Sequence, residues 1–261
     1  EMFDQASMVR EAVKWDYELR NANQLEAVVD RALNISKALP KGPVYLTLPR
    51  EILATEIDKV IHSPATQHSN ATAPYPDVNV IDQLAECVMQ AKNPMIVTSQ
   101  LGNVTAAVKA VSDLAERYAI PVTQYRPRTL NIATNHSMHM GFNPALLFNK
   151  ADLIIAIECE VPWIPSQAKP LPNCKVAHIA ADPLYSSAPH RGFRADFTIT
   201  GASDASLIAL SLAMETRLTK SRDRIEARRI EIKNSKSILD KKWQNQLTRN
   251  KNSSPISPIW I

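Results

Sequence analysis

The run Leu153-Ile-Ile-Ala-Ile157, bounded by Asp152 and Glu158, restricts the fold more than any other feature of the sequence. Successive residues of a strand point to opposite faces, so five apolar residues in a row require cover on both faces. Such a strand belongs inside a parallel sheet. Lys175–Asp182, KVAHIAAD, repeats the pattern. Between and around these runs the apolar period changes back and forth. Val80–Ala91 reads as a helix, Pro94–Thr98 as a strand, and Asn103–Tyr118 as a helix with Val104, Ala107, Val108, Val111, Leu114 and Ala115 on one side. Pro121–Tyr125 reads as a strand, Asn143–Lys150 as a short helix, Asp196–Gly201 as a strand and Ala205–Leu218 as a helix. Alternation at these lengths predicts an α/β architecture, a doubly wound, mostly parallel sheet flanked by helices, with right-handed crossovers.

The flanks read differently. Gln24–Leu39 has helical spacing closed by Pro40, and Gly42–Pro49 reads as a strand. This is one step of an α/β unit, and a single step cannot bury both its faces. Residues 62–77, HSPATQHSNATAPYPD, are polar, proline-rich and aperiodic, as in a linker. Residues 219–251 hold eleven Lys/Arg against four Asp/Glu, a net of +7 in a chain of net +4, which leaves about −3 elsewhere. A basic tail can meet nucleic acid, but acids interrupt this one and no aromatic platform accompanies it. It reads as a charged helical linker with a thin stripe of Ile225, Ile232, Leu239, Trp243 and Leu247. A tail that binds an acidic partner in a salt-sensitive way is a further reading. The expected organisation is a partial α/β segment at 1–61, a linker at 62–77, a central domain at 78–218, the charged helix at 219–252 and the start of another domain at 253–261.

The 261 residues include five glycines and eighteen prolines. Few loops can therefore press their backbone against a phosphate. Cys87, Cys159 and Cys174 are far apart and form no CxxC pair, which predicts a reduced, cytoplasmic protein without a zinc site or disulfide framework. No apolar run is long enough to span a membrane. Glu1-Met-Phe-Asp-Gln5 lacks the basic region and apolar core of a signal peptide and reads as the interior of a longer chain.

Three stretches, in order, resemble the thiamine diphosphate-dependent enzymes of the acetolactate synthase, pyruvate oxidase and oxalyl-CoA decarboxylase type. GPVYLTLPRE (Gly42–Glu51) resembles the last strand of that family's pyrimidine-binding domain. NPMIVTSQLGN, IPVTQY, ADLIIAIE and KVAHIAADPLY resemble its central domain, with Ala180-Ala181-Asp182-Pro183 at an IDiDP-like turn. SPISPIWI at the end resembles the opening helix of its diphosphate-binding domain. The resemblance implies a slice of a larger enzyme that acts on a 2-keto acid by carboligation or decarboxylation, inactive by itself, from a homodimer or homotetramer.

The family's cofactors are thiamine diphosphate and Mg²⁺. Its catalytic glutamate stands early in the first domain, and its Mg²⁺ is held by a GDG…N stretch; this sequence contains no GDG, so no catalytic residue and no metal ligand carry over. Glu51 stands at the wrong end of that domain. Some relatives bind FAD or ADP at the carboxyl ends of the central strands. The corresponding residues here would be Gly102, Asn103 and Asp182, the last on a ribose hydroxyl. Relatives tend to have a GGG-like turn at the first position and G-x-R after the Asp152 strand. This chain has SQLGN and Glu158-Cys159-Glu160, whose carboxylates would repel a diphosphate. Asp182-Pro183 also reads as a plain chain reversal. The alternative function is accordingly a non-catalytic module that binds FAD or ADP.

Among other residues, His136 and His139 are three apart, as helical metal ligands can be, but have no acidic or thiol partner nearby in sequence. Arg126 and Arg128 after a strand could meet an anion. Trp163 between Pro162 and Pro165 suggests interface packing. Cys159 beside two acids should hold its proton, which argues against a thiolate nucleophile.

Overall fold

The computed structural model describes residues 4–57 and 71–257. The expected linker is described only from residue 71 on; of SPISPIWI, expected to open a helix, residues 254–257 are described and are not helical, and 258–261 lie outside the described residues. The chain divides into two compact units, Glu1–Pro74 and Tyr75–Ile261.

The first unit holds β1 (Trp15–Glu18), α1 (Leu25–Lys37), β2 (Val44–Thr47) and α2 (Arg50–Leu53). The Gly42–Pro49 run forms β2, and it pairs in parallel with β1, Trp15 opposite Val44 and Glu18 opposite Thr47. β1 lies outside the strands expected above, although WDYE alternates aromatic and acidic residues with a strand's period of two; four residues are too short a run to stand out. Lys14 Nζ donates to the carbonyls of Ile35 and Ala38 at 2.8 and 2.7 Å, closing the C-terminus of α1. A cation there also meets the negative end of the helix dipole. Leu19, Val28 and Ala32 are buried, but Leu25, Val29, Leu33 and Leu48 are exposed. One α/β step leaves much of its apolar surface uncovered, as expected of two strands and one long helix.

The second unit contains α3 (Val78–Gln90), β3 (Pro94–Thr98), α4 (Thr105–Tyr118), β4 (Val122–Gln124), α5 (Ala145–Phe148), β5 (Leu153–Ile157), β6 (Lys175–Ala180), β7 (Phe197–Thr200), α6 (Ser203–Glu215) and α7 (Leu218–Arg249). Five parallel strands lie in the order β4-β3-β5-β6-β7. This is the α/β sheet expected from the alternation. Leu153, Ile155 and Ile157 of β5 face one core with Ile81, Leu84, Val111, Leu207 and Leu210 from α3, α4 and α6. Ile154 and Ala156 face the other, with Met95, Val97, Phe148, Cys174 and Trp163. The second face is thus covered by the short α5 and by loop side chains, not by long helices. Trp163 is buried there, edge-on to Phe148 and Phe193 at 5.7 and 5.2 Å. It belongs to the chain's own core, which corrects the expectation of interface packing: an aromatic between two prolines looks the same in sequence in either setting.

Start and stop signals explain the borders. The Asp77 side chain accepts the N–H groups of Asn79 and Val80 and caps α3. The helix expected from Asn103 starts at Thr105, because Leu101–Asn103 first makes a 3₁₀ turn. α7 buries Ile225 and Ile232 in the first core. Farther along, Leu239 and Trp243 cover Gly141, whose positive φ of 85° suits glycine. Residues 219–249 therefore dock on the sheet domain through the stripe read from the sequence.

Candidate functional site

In open parallel sheets, ligands favour the carboxyl edge where the strand order reverses. Here that point lies between β3 and β5, and the turns that follow these strands meet there. The Gln100 N–H donates to the Glu158 carbonyl at 3.0 Å, bridging the reversal. Leu101 is buried beneath it. Gly102 donates its N–H to Thr129 Oγ1 at 3.1 Å. A methyl in place of its hydrogen would collide with the Leu130 carbonyl oxygen. Glycine is needed here for a close approach of two backbones, and its amide is already engaged. Asn103 donates its N–H to Gln100 O at 3.1 Å within the same turn.

Asn131, which carries no signal in the sequence, organises this corner. It is fully buried. Its Oδ1 accepts from Leu101 N at 2.8 Å and Thr98 Oγ1 at 3.1 Å, and its Nδ2 donates to Thr129 O at 2.8 Å and Ser99 O at 3.1 Å. The amide thus pins the loop after β4 to the turn after β3. Beside it, the Gln124 amide nitrogen donates to Ile132 O at 3.2 Å and lies 3.1 Å from His139 Nε2. With Nε2 accepting, His139 Nδ1–H donates to Thr134 O at 3.1 Å. Burial lowers the pKa of His139 and keeps the ring neutral. His136 accepts the Met138 N–H and lies 3.9 Å from Glu116. His136 lies in a bend and His139 in a parallel bridge to Val122, so the two are not on a helix, and among the described residues no group of three metal-ligating side chains forms.

Glu158 is the second organiser. It follows β5 with a left-handed backbone, φ 45°. Its Oε1 accepts from Ser203 Oγ at 2.6 Å and Ala181 N at 3.4 Å, joining the turns after β5 and β6 to the start of α6. Burial raises its pKa, and the Ser203 hydroxyl opposes the rise. Asp182 accepts from Ser186 N and Ser186 Oγ, both at 2.7 Å, and from Leu184 N at 3.2 Å. Its burial acts to raise the pKa, but these hydrogen bonds outweigh that and lower it. The carboxylate is occupied in shaping its own loop.

That loop folds back as a third cluster. Arg191 donates to His178 Nδ1 at 2.9 Å and to Glu160 O at 3.1 Å, and stacks on Tyr185 and Phe193. His178 Nε2–H donates to Arg194 O at 3.0 Å, which fixes the tautomer. Cys159 is buried nearby with its pKa pushed up to about 12, by burial first, and Cys174 is pushed up to about 11 for the same first reason. Neither thiol is a nucleophile at neutral pH. Arg126 stacks on Tyr125 and stands in a left-handed conformation, while Arg128 lines an open cleft of about 840 Å³ with Gln124, Thr129 and Phe142. Glu51 lies exposed in α2, in the other unit. Gly102 and Asn103 share one turn after β3, whereas Asp182 belongs to the loop after β6. The Gln100–Glu158–Ala181 hydrogen bonds occupy the ground between them.

Comparison with known proteins settles the kind of domain. The family model described as thiamine pyrophosphate enzyme, central domain, matches residues 81–210. These residues belong to the thiamine pyrophosphate enzyme family. The mitochondrial acetolactate synthase catalytic subunit of Saccharomyces cerevisiae is 27% identical over 176 residues, covering 59% of this chain and 25% of its own length. Benzoylformate decarboxylase of Pseudomonas aeruginosa is 25% identical over 166 residues, covering 60% of this chain and 31% of its own. The chain thus spans about a quarter to a third of the length of these curated relatives. The structure of a protein described as a thiamin diphosphate-dependent enzyme, from Mycobacterium smegmatis, superposes with a TM-score of 0.66 at 25% identity, over 81% of this chain and 41% of that one.

Against this family, the residues of the central domain do not fit a bound diphosphate. A diphosphate cradle needs free backbone N–H groups around glycine. The Gly102 amide is bonded to Thr129, the Gln100 amide to Glu158, and the Glu158 carboxylate sits at the same edge. Chemically, the arrangement clamps loops together with buried amides and one protected carboxylate. Among the described residues, no helix is long and apolar enough to cross a membrane.

Proposed function

We propose that this chain supplies the central, non-catalytic layer of a larger thiamine diphosphate-dependent enzyme. Its parent reaction is carboligation or decarboxylation of a 2-keto acid, the two outcomes that relatives named acetolactate synthase and benzoylformate decarboxylase suggest. Thiamine diphosphate with Mg²⁺ would be held by parts of the enzyme other than the residues described, since the sequence carries no GDG. The parent works in the cytoplasm as a homodimer or homotetramer, with the central domain as part of the scaffold.

One observation carries this reading. The carboxyl edge of a sheet that matches the family's central domain is closed by its own hydrogen bonds, through Asn131 and Glu158. An edge built this way holds loops and offers no reacting group. The test is thermal unfolding of the purified chain with FAD, ADP, coenzyme A, or thiamine diphosphate plus Mg²⁺. A ligand that binds only the folded state at a hundredfold excess over its dissociation constant stabilises it by about 2.7 kcal/mol. The scaffold reading expects no shift with any of them. A clear rise with FAD or ADP would replace it with the nucleotide-binding alternative.

A further inference from the structure

Arg228 is the one charged side chain among the described residues whose buried nitrogens all lack a partner. It stands on α7, 5% exposed, and Nε, Nη1 and Nη2 have no hydrogen-bond partner among the described residues. An unpaired guanidinium in a protein interior is costly and rare. Its pKa falls to about 10, first through burial and then through neighbouring Arg224.

Asp152 favours the Arg228 cation through space, but no acceptor reaches the guanidinium, and the oxygens of the nearby carboxylates are engaged elsewhere. Asp152 accepts Lys92 N at 2.7 Å and Asn93 N at 2.9 Å with its two oxygens. Glu231, one turn from Arg228, is paired with Lys150 at 2.7 Å. Arg224 donates to the Met89 carbonyl and brings a further positive charge.

Beside Arg228 is a hollow of about 60 Å³ between α7 and the amino ends of β3 and β5. Lys92, Lys150 and Glu231 join Arg228 among the groups that line it, and Met95 and Ile232 contribute apolar wall. These four charged groups sum to a positive site. One water needs about 10–15 Å³ of such space, so the hollow is large enough for a small anion. A guanidinium fork matches the paired oxygens of carboxylate and phosphate.

We propose that this hollow, on the edge of the sheet opposite the ligand-binding edge typical of such folds, is a binding site for one small oxyanion, a carboxylate or inorganic phosphate, gripped by Arg228. The anion completes the docking of α7 on the sheet by supplying the acceptor oxygens that the Arg228 guanidinium lacks.

The experiment is calorimetric titration of the 261-residue chain with inorganic phosphate and, separately, with acetate. Ionic strength is held constant with HEPES, and the titration is repeated at two HEPES concentrations so that competition by its sulfonate is seen. The site predicts saturable binding of at least one of these anions, one per chain. Affinity should fall at least tenfold in Arg228→Met and to a lesser extent in Arg228→Lys, which keeps the charge but loses the fork. Circular dichroism establishes that both variants fold. In buffer without phosphate or carboxylate, Arg228→Met should melt at or above the wild-type temperature, because it removes a buried guanidinium with no hydrogen-bond partner. Absence of saturable binding by either anion to the wild-type chain would overturn the proposal. So would equal affinity in Arg228→Met or, should that variant not fold, equal affinity in Arg228→Lys.

Discussion

At the scale of single residues, the carboxyl edge is held by polar side chains that have no neighbourly signature in sequence. Asn131 satisfies four backbone or hydroxyl groups, three of them in Thr98–Leu101 and one at Thr129, and nothing in Thr129-Leu-Asn-Ile-Ala133 marks it. In sequence Glu158 is a carboxylate that would repel a diphosphate; in the fold its work is to bind Ser203 and Ala181. His178 gives a measurable consequence. Burial first, and Arg191 second, push its pKa down from 6.5 to about 4. Between these values the unfolded chain binds the proton and the folded chain does not. Stability is therefore lost as pH falls from 6.5 towards 4, and is unaffected by this group above 6.5. A tenfold change in proton affinity is worth about 1.4 kcal/mol, so the loss is of order 3 kcal/mol at most. Urea midpoints measured from about pH 7.5 to about pH 4.5 should show the decline in wild type and a flatter profile in His178→Gln. Parallel profiles would mean that His178 is not held neutral.

At the scale of elements, most strands and helices are legible in the sequence and the joints between them are not. The strand expected at Pro94–Thr98 is β3 itself, because the short apolar run Pro94–Val97, between Asn93 and a polar turn, fits a buried strand and is too short for a helix. The helix expected at Asn143–Lys150 shrinks to Ala145–Phe148, since Pro144 and Asn149 fix its ends and tertiary packing of Phe148 decides the rest. The turn of Leu101–Asn103 shows the limit. In sequence its single glycine resembles the remnant of a nucleotide turn, whereas in the fold the Leu130 carbonyl presses on it from a loop almost thirty residues away. Gly102→Ala should therefore destabilise the chain by about 1–3 kcal/mol, the usual range for overpacking. Chemical denaturation is the measurement, and a change below about 0.5 kcal/mol, the range of an ordinary surface substitution, would show that the loop yields freely. The same substitution should leave the response to FAD and ADP unchanged, because that response is expected to be nil.

At the scale of the whole molecule, the two units differ in what they bury. The second places both faces of a five-stranded sheet out of water, while the first leaves Met8, Leu25, Leu33, Leu48 and Leu53 exposed around two short strands. Hydrophobic burial is the main driving force of folding, so the first unit should unfold at lower urea. Two transitions are expected, with the signal of the stacked Trp15–Tyr17 pair changing in the first and that of Trp163 in the second. One coincident transition for both probes would contradict this. The sequence alone determined the parallel α/β sheet and the docking stripe of α7, because apolar periodicity is a local record of which faces meet other protein. It also carried the family likeness, which is written in the order of these same runs. Only the tertiary structure decided the pairing of β1 with β2, the core position of Trp163, the clamps at Asn131 and Glu158, and the unpaired Arg228. Each of these depends on contacts between residues far apart in the chain, and a linear pattern of polarity does not encode which distant partner a polar group will meet.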